Sequence, residues 1–155
     1  MNAMQTQVSP QFVARLPAAL LCLLWVVVIV LGTTLPWHTL QPHLQWWRID
    51  WAPFHTGTLR RRLIFDIAVN LVLYLPLGYL CRQWIGQTGR MAFAYVVGIA
   101  AGLSCGTEFV QTFNPMRFPA VADVVMNVAG ALLGAWAVVP RDNEQPSFLL
   151  VTPPP

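Results

Sequence analysis

Residues 91–139, MAFAYVVGIAAGLSCGTEFVQTFNPMRFPAVADVVMNVAGALLGAWAVV, decide the fold. They read as two apolar stretches, 91–113 and 121–139, joined by the turn 114–120, Asn-Pro-Met-Arg-Phe-Pro-Ala. Each is close to the roughly 20 residues that carry a helix across a bilayer. Working outward, a third stretch covers 63–80 and is interrupted by Asp66, Asn70 and Pro76. A fourth, 16–35, has no charge anywhere between Arg15 and Arg48. Residues 81–90 form a short polar turn with Gly86 and Gly89. The pattern predicts an all-α chain, a four-helix transmembrane bundle with a polar cluster near one membrane face.

Composition agrees. Residues of the set AVILMFWYC make up 56% of the 155 and charged residues only 10%, against about a quarter charged in soluble domains. Mean hydropathy is +0.56. A short chain has too little interior to hide that much apolar surface from water, so the excess faces lipid. All nine basic residues are arginine, and the net charge of +3 is thin and scattered. With Arg60-Arg61-Arg62 as the only basic run, no nucleic-acid partner is expected. Cys22, Cys81 and Cys105 lack CxxC or CxxH spacing, so neither a disulfide framework nor a zinc site is indicated. Cys22 and Cys105 read as small core residues.

Residues 1–15 read as an N-terminal tail, 16–139 as the four-span domain and 140–155 as a flexible, proline-rich tail. The first span reads as an uncleaved helix, because the sequence after it lacks a small-residue cleavage site. Pro17 suits its first turn, where a missing N–H costs least. Pro76 is expected to kink span two or free a carbonyl near Val72. The loop 36–62 holds Trp37, Trp46, Trp47 and Trp51 and reads as an aromatic interfacial belt. With four spans this loop and the 114–120 turn share one face, which carries five arginines against four on the other. That balance gives no orientation.

Half of the six acidic residues, Asp66, Glu108 and Asp123, fall inside spans. A charge there costs about 2.5–3.5 kcal/mol at a helix centre on insertion scales and marks function by default. Asp66 and Asn70 stand at i, i+4. Ser104, Glu108 and Gln111 follow at i, i+4, i+7. Asp123, Asn127, Gly130 and Gly134 continue the rhythm at i, i+4, i+7, i+11, so each set lies on one stripe of its helix. All three stripes reach the same face, with Arg117 in the turn between two of them. The geometry predicts one buried cluster of Asp66, Asn70, Ser104, Glu108, Gln111, Arg117, Asp123 and Asn127. With three carboxylates for one arginine, such a cluster suits acid–base work, a proton relay or headgroup binding. Each member also has a plainer reading: Asp66 as a snorkelling or capping residue, Glu108 with Arg117 as a neutralising ion pair, Asn127 as interhelical glue. The small-xxx-small ladders Gly98-Gly102-Gly106 and Gly130-Gly134 read as helix-packing faces, the former also open to a helix partner.

Taken together, Asp66-x3-Asn70, Leu75-Pro76-Leu77-Gly78, Ser104-x3-Glu108-x2-Gln111 and Arg117-x5-Asp123-x3-Asn127-x2-Gly130-x3-Gly134 resemble the VanZ-like family over residues 63–139. The resemblance implies a small, multi-pass protein of the bacterial cytoplasmic (inner) membrane that works in the cell envelope. It brings a link to antibiotic resistance through the family's founding member, associated with teicoplanin resistance. It supplies a site and a setting but no reaction, and its context favours cytoplasmic termini with the cluster facing outward, whereas Arg60 to Arg62 argue for the reverse. Family members often carry a further acid where this chain has Pro119-Ala120-Val121, which argues against a metal-binding version of the site. The long Trp-rich loop reads as particular to this chain rather than to the family.

Several intramembrane chemistries lack their parts. Rhomboid-type proteolysis needs a GxSG serine and a helix histidine, yet Ser104 sits in Leu-Ser-Cys-Gly and no span holds a histidine. The paired histidines of lipid-phosphate phosphatases and the Asp-rich signature of CDP-alcohol transferases are missing as well. His38, His43 and His55 lie in the loop without metal-ligand context. The leading expectation is recognition of a polar lipid headgroup or lipid-linked envelope intermediate. Arg117 would hold phosphate, while Asn70, Gln111, Asn127 and Ser104 orient the headgroup, with no metal and no cofactor called for. An enzyme on a lipid-linked substrate, with Glu108, Asp123 or Asp66 in acid–base roles, is the first alternative. A proton-coupled small transporter is the second, weakened because small multidrug exporters carry their carboxylate in the first span.

Overall fold

A computed structural model describes residues 10–51, 61–86 and 89–138, with backbone alone at 10–14 and 61–64. The expected C-terminal tail, His55 and the Arg60–Arg62 side chains lie outside the described residues. Four helices follow in order: α1 (Pro10–Thr34), α2 (Arg61–Ile85), α3 (Arg90–Gln111) and α4 (Val121–Trp136). The described chain is helical apart from its connections, as the periodicity predicts. Segments 15–34, 65–85 and 90–111 are long and apolar enough to cross a membrane. With 16 residues, α4 reaches only about 24 Å at 1.5 Å per residue.

The outward faces are apolar. Leu20, Leu23 and Leu24 are 60–65% exposed, which is costly in water and natural in lipid. Helix ends depart from the apolar runs by a few residues, for local reasons. The first helix is described from Pro10 and holds Pro17 within it, so Pro17 is not in the first turn expected of it. The second continues past residue 80 to Ile85 and stops at Gly86, whose φ of 59° is the left-handed conformation that closes a helix C-terminus. There the Arg15 guanidinium donates to the Ile85 carbonyl at 3.2 Å, placing a cation at the negative end of α2.

Inside α2, Pro76 lacks the N–H that would bond the Val72 carbonyl. One residue on, the Leu73 carbonyl accepts a 2.8 Å bond from the Trp25 indole N–H of α1. Helix α2 packs chiefly on α4, and glycine sets how closely. A Cβ at Gly78 would collide with the Ala131 carbonyl, one at Gly130 with that of Leu71 and one at Gly134 with that of Leu75. The Gly130-Gly134 ladder therefore does pack backbone on backbone. The Gly98-Gly102-Gly106 ladder does not: a Cβ at any of the three meets nothing within 4 Å, so it faces away from the bundle. Among the cysteines, Cys22 is buried against Cys81, with sulfurs 3.2 Å apart. Cys105 corrects the core reading, because it is exposed.

Candidate functional site

The polar end is assembled where α1 stops, α2 starts and the α3–α4 turn folds over. The loop after α1 does not hang free. Gln41 and Gln45 donate backbone N–H groups to the carbonyls of Phe113 and Thr112, at 2.8 and 3.0 Å. Asp50 then forms a parallel bridge with Ala120, its N–H bonding the Pro119 carbonyl and its carbonyl accepting from Val121. Gln45 is buried and its carboxamide ties Gln41 to Arg48, whose guanidinium lies 4.4 Å over the Phe118 ring. Trp37, Trp46, Trp47 and Trp51 stay more than half exposed around this strap, as do Met116 and Phe118. A ring of exposed aromatics beside a polar site matches the headgroup zone of a bilayer.

Beneath the strap the stripes meet, with a division of labour that spacing did not reveal. Glu108, half-buried near the end of α3, accepts the Ala120 N–H at 3.0 Å and so pins α3 to the residue that opens α4. Asp123 stands in the first turn of α4, where the helix dipole favours a carboxylate. It lies within hydrogen-bonding reach of the Asn70 side chain and within electrostatic range of Asp66 and Glu108. One helical turn below, about 6 Å, the Asn127 carboxamide donates to the Ser104 hydroxyl at 2.8 Å. Thus Asp66, Asn70, Ser104, Glu108, Asp123 and Asn127, from three helices, occupy one end of the bundle.

Three members differ from the expected buried cluster. Asp66 is exposed. Arg117 is exposed too, and donates to the Leu35 carbonyl of the α1 end at 3.4 Å; it influences Glu108 through space. Gln111 is buried but turned toward α1, donating to the Thr33 carbonyl at 3.2 Å. The buried arginine of the sequence reading is therefore a rim residue, because the Asn114–Arg117 turn carries it past the end of the helices. Among the described residues, no three His, Cys, Asp or Glu side chains gather to hold a metal ion.

Spacing also passed over Tyr74 and Thr107. Tyr74 continues the Asp66-Asn70 stripe at i+8, and Thr107 stands three residues after Ser104, so the signal was present but hidden by their ordinary occurrence in apolar helices. Tyr74 is the largest fully buried side chain among the described residues, and its hydroxyl lies near those of Ser104 and Thr107 without a hydrogen bond of good geometry to either.

A helical bundle with lipid-compatible outer faces and ionisable side chains gathered at one end defines a small membrane protein with a polar terminal site. Residues 18–140, well over half of the chain, match the family described as VanZ/LLP1, and the chain belongs to it. The matched span takes in α1 from residue 18 onward and the strap, both outside the 63–139 resemblance read from the motifs. No curated protein and no solved structure matches the chain.

Proposed function

We propose that this VanZ-family membrane protein recognises the polar headgroup of a lipid, or of a lipid-linked envelope intermediate, at the strap-covered end of its bundle. The observation that carries the reading is the pairing of an exposed Arg117 at the rim with the Asn70, Glu108 and Asp123 groups just inside it. An exposed guanidinium binds phosphate by charge-assisted hydrogen bonds. The amides and carboxylates behind it accept from hydroxyl or amine groups of the headgroup. The exposed tryptophans support the same placement, since they hold that end at headgroup depth. In this reading the chain is a multi-pass protein of the bacterial cytoplasmic membrane, and any effect on glycopeptide susceptibility follows from the envelope intermediate it holds.

The test uses purified protein in phosphatidylcholine nanodiscs and a short-chain polyprenyl phosphate as probe. Arg117→Ala should weaken probe binding by at least tenfold, equivalent to about 1.4 kcal/mol, while Arg90→Ala at the opposite end leaves it unchanged. Equal affinity of wild type and Arg117→Ala contradicts the proposal. Turnover of a lipid-linked substrate that disappears in Glu108→Gln would move the assignment to an enzyme.

A further inference from the structure

One turn beneath the acids lies a layer that the headgroup reading does not use. Tyr74 from α2, Ser104 and Thr107 from α3, and Asn127 from α4 all converge there. Tyr74 and Ser104 are 0% exposed and Asn127 is 3% exposed. Most of the layer's hydrogen bonds are accounted for: Thr107 donates to the Ser104 carbonyl at 2.9 Å, and the Asn127 carboxamide nitrogen donates to the Ser104 hydroxyl oxygen at 2.8 Å. Two atoms are left over. Among the described residues neither the Tyr74 hydroxyl nor the Asn127 carboxamide oxygen has a hydrogen-bond partner, and both are buried; the Ser104 and Thr107 hydroxyls lie near Tyr74 without bonding it. An orphan of this kind loses the full desolvation cost of the group, and native interiors seldom tolerate one. Here there are two, on different helices and flanking the same serine.

Their chemistry is complementary. Tyr74 has a proton to give. The Asn127 oxygen has lone pairs to fill. Ser104, whose oxygen already accepts from Asn127, still has its own hydroxyl proton to donate. We propose that a buried water molecule binds at this point, accepting from the Tyr74 and Ser104 hydroxyls and donating to the Asn127 carboxamide oxygen. That makes three hydrogen bonds, the usual number for a water inside a folded protein. Because Tyr74 and Ser104 are wholly enclosed, the occupant is water and not a hydroxyl of an arriving headgroup. The site joins α2, α3 and α4 beneath Glu108 and Asp123, so the floor under the acids is hydrated although it lies inside the bundle. This inference does not depend on headgroup binding.

Hydroxyl-radical footprinting of the full chain in lipid-free detergent tests it, since side chains against a bound water are labelled despite their burial. Tyr74 should be labelled in the folded protein, whereas Leu77, equally buried, should not. Labelling should fall several-fold in Asn127→Leu, which removes one of the three water partners. As a second measurement, Tyr74→Phe should lower Tm by about 2–4 °C, because the water loses a donor. A Tyr74 that escapes labelling, or a Tyr74→Phe protein whose Tm is unchanged or higher, overturns the proposal. The latter is what deletion of an unsatisfied hydroxyl in a dry core would give.

Discussion

Gly130 and Gly102 have the same sequence signature and opposite surroundings. A Cβ at Gly130 meets the α2 backbone, which cannot yield as a side chain would, and one at Gly102 meets nothing. Gly130→Ala should therefore destabilise the protein by about 1–3 kcal/mol through overpacking. Gly102→Ala should leave stability unchanged or raise it by up to about 1 kcal/mol, as replacing an unhindered helix glycine does. Unfolding in detergent micelles measures both. The contrast shows what single residues disclose. A small-xxx-small ladder says that a face permits close approach, but nothing in the spacing says which partner takes it. The same applies to Cys105, apolar in its neighbours and yet exposed. Asn70, Asp123 and Asn127 were legible because polarity inside an apolar run has few explanations and the i, i+4 rhythm fixes a shared side; Asp66 shares that end but not the burial expected of it. The exposure of Arg117 was not, because its direction depends on how a seven-residue turn leaves the helix end.

At the scale of elements, the strap is the least expected part of the molecule. Its four tryptophans were readable as interfacial, but its attachment rests on backbone N–H and carbonyl groups of residues 41, 45, 50, 112, 113, 119 and 121. These leave no periodic mark in a sequence. Gln45 is the best point to break it. Its N–H bonds the Thr112 carbonyl, its φ of −105° is far from proline's, and its side chain links Gln41 with Arg48. Gln45→Pro should release the strap and expose residues 41–50 to limited proteolysis, with α1 to α4 remaining intact. A cleavage pattern identical to wild type would show that the strap holds without these bonds. Helix α4 presents the converse case. Its pattern was clear from Val121 onward, whereas the Glu108 carboxylate that secures its start by accepting from Ala120 comes from another helix.

On the scale of the whole molecule, the polar end and the opposite end are chemically distinct. One gathers Asp66, Glu108, Asp123 and Arg117 beneath exposed tryptophans; the other carries Arg15, Arg82 and Arg90. If the strap-covered end faces the outside of the cell, a membrane-impermeant thiol reagent should label Arg117→Cys in intact cells, in a background with Cys22, Cys81 and Cys105 replaced. Arg90→Cys should then stay unlabelled until the cells are opened. The reverse pattern would place the site on the cytoplasmic side and remove outward-facing wall precursors as ligands.

The central claim is that acids and amides of α2, α3 and α4 are neighbours at one end of the bundle. Paired cysteines test it most directly: Asn70→Cys with Asp123→Cys, in the same cysteine-free background, treated with a short bifunctional thiol reagent in native membranes. The account predicts efficient cross-linking within one chain, and none between Asn70→Cys and Phe109→Cys, whose α3 side chain is exposed. Failure of the 70–123 pair to cross-link, with both thiols shown to be reactive singly, would contradict the account.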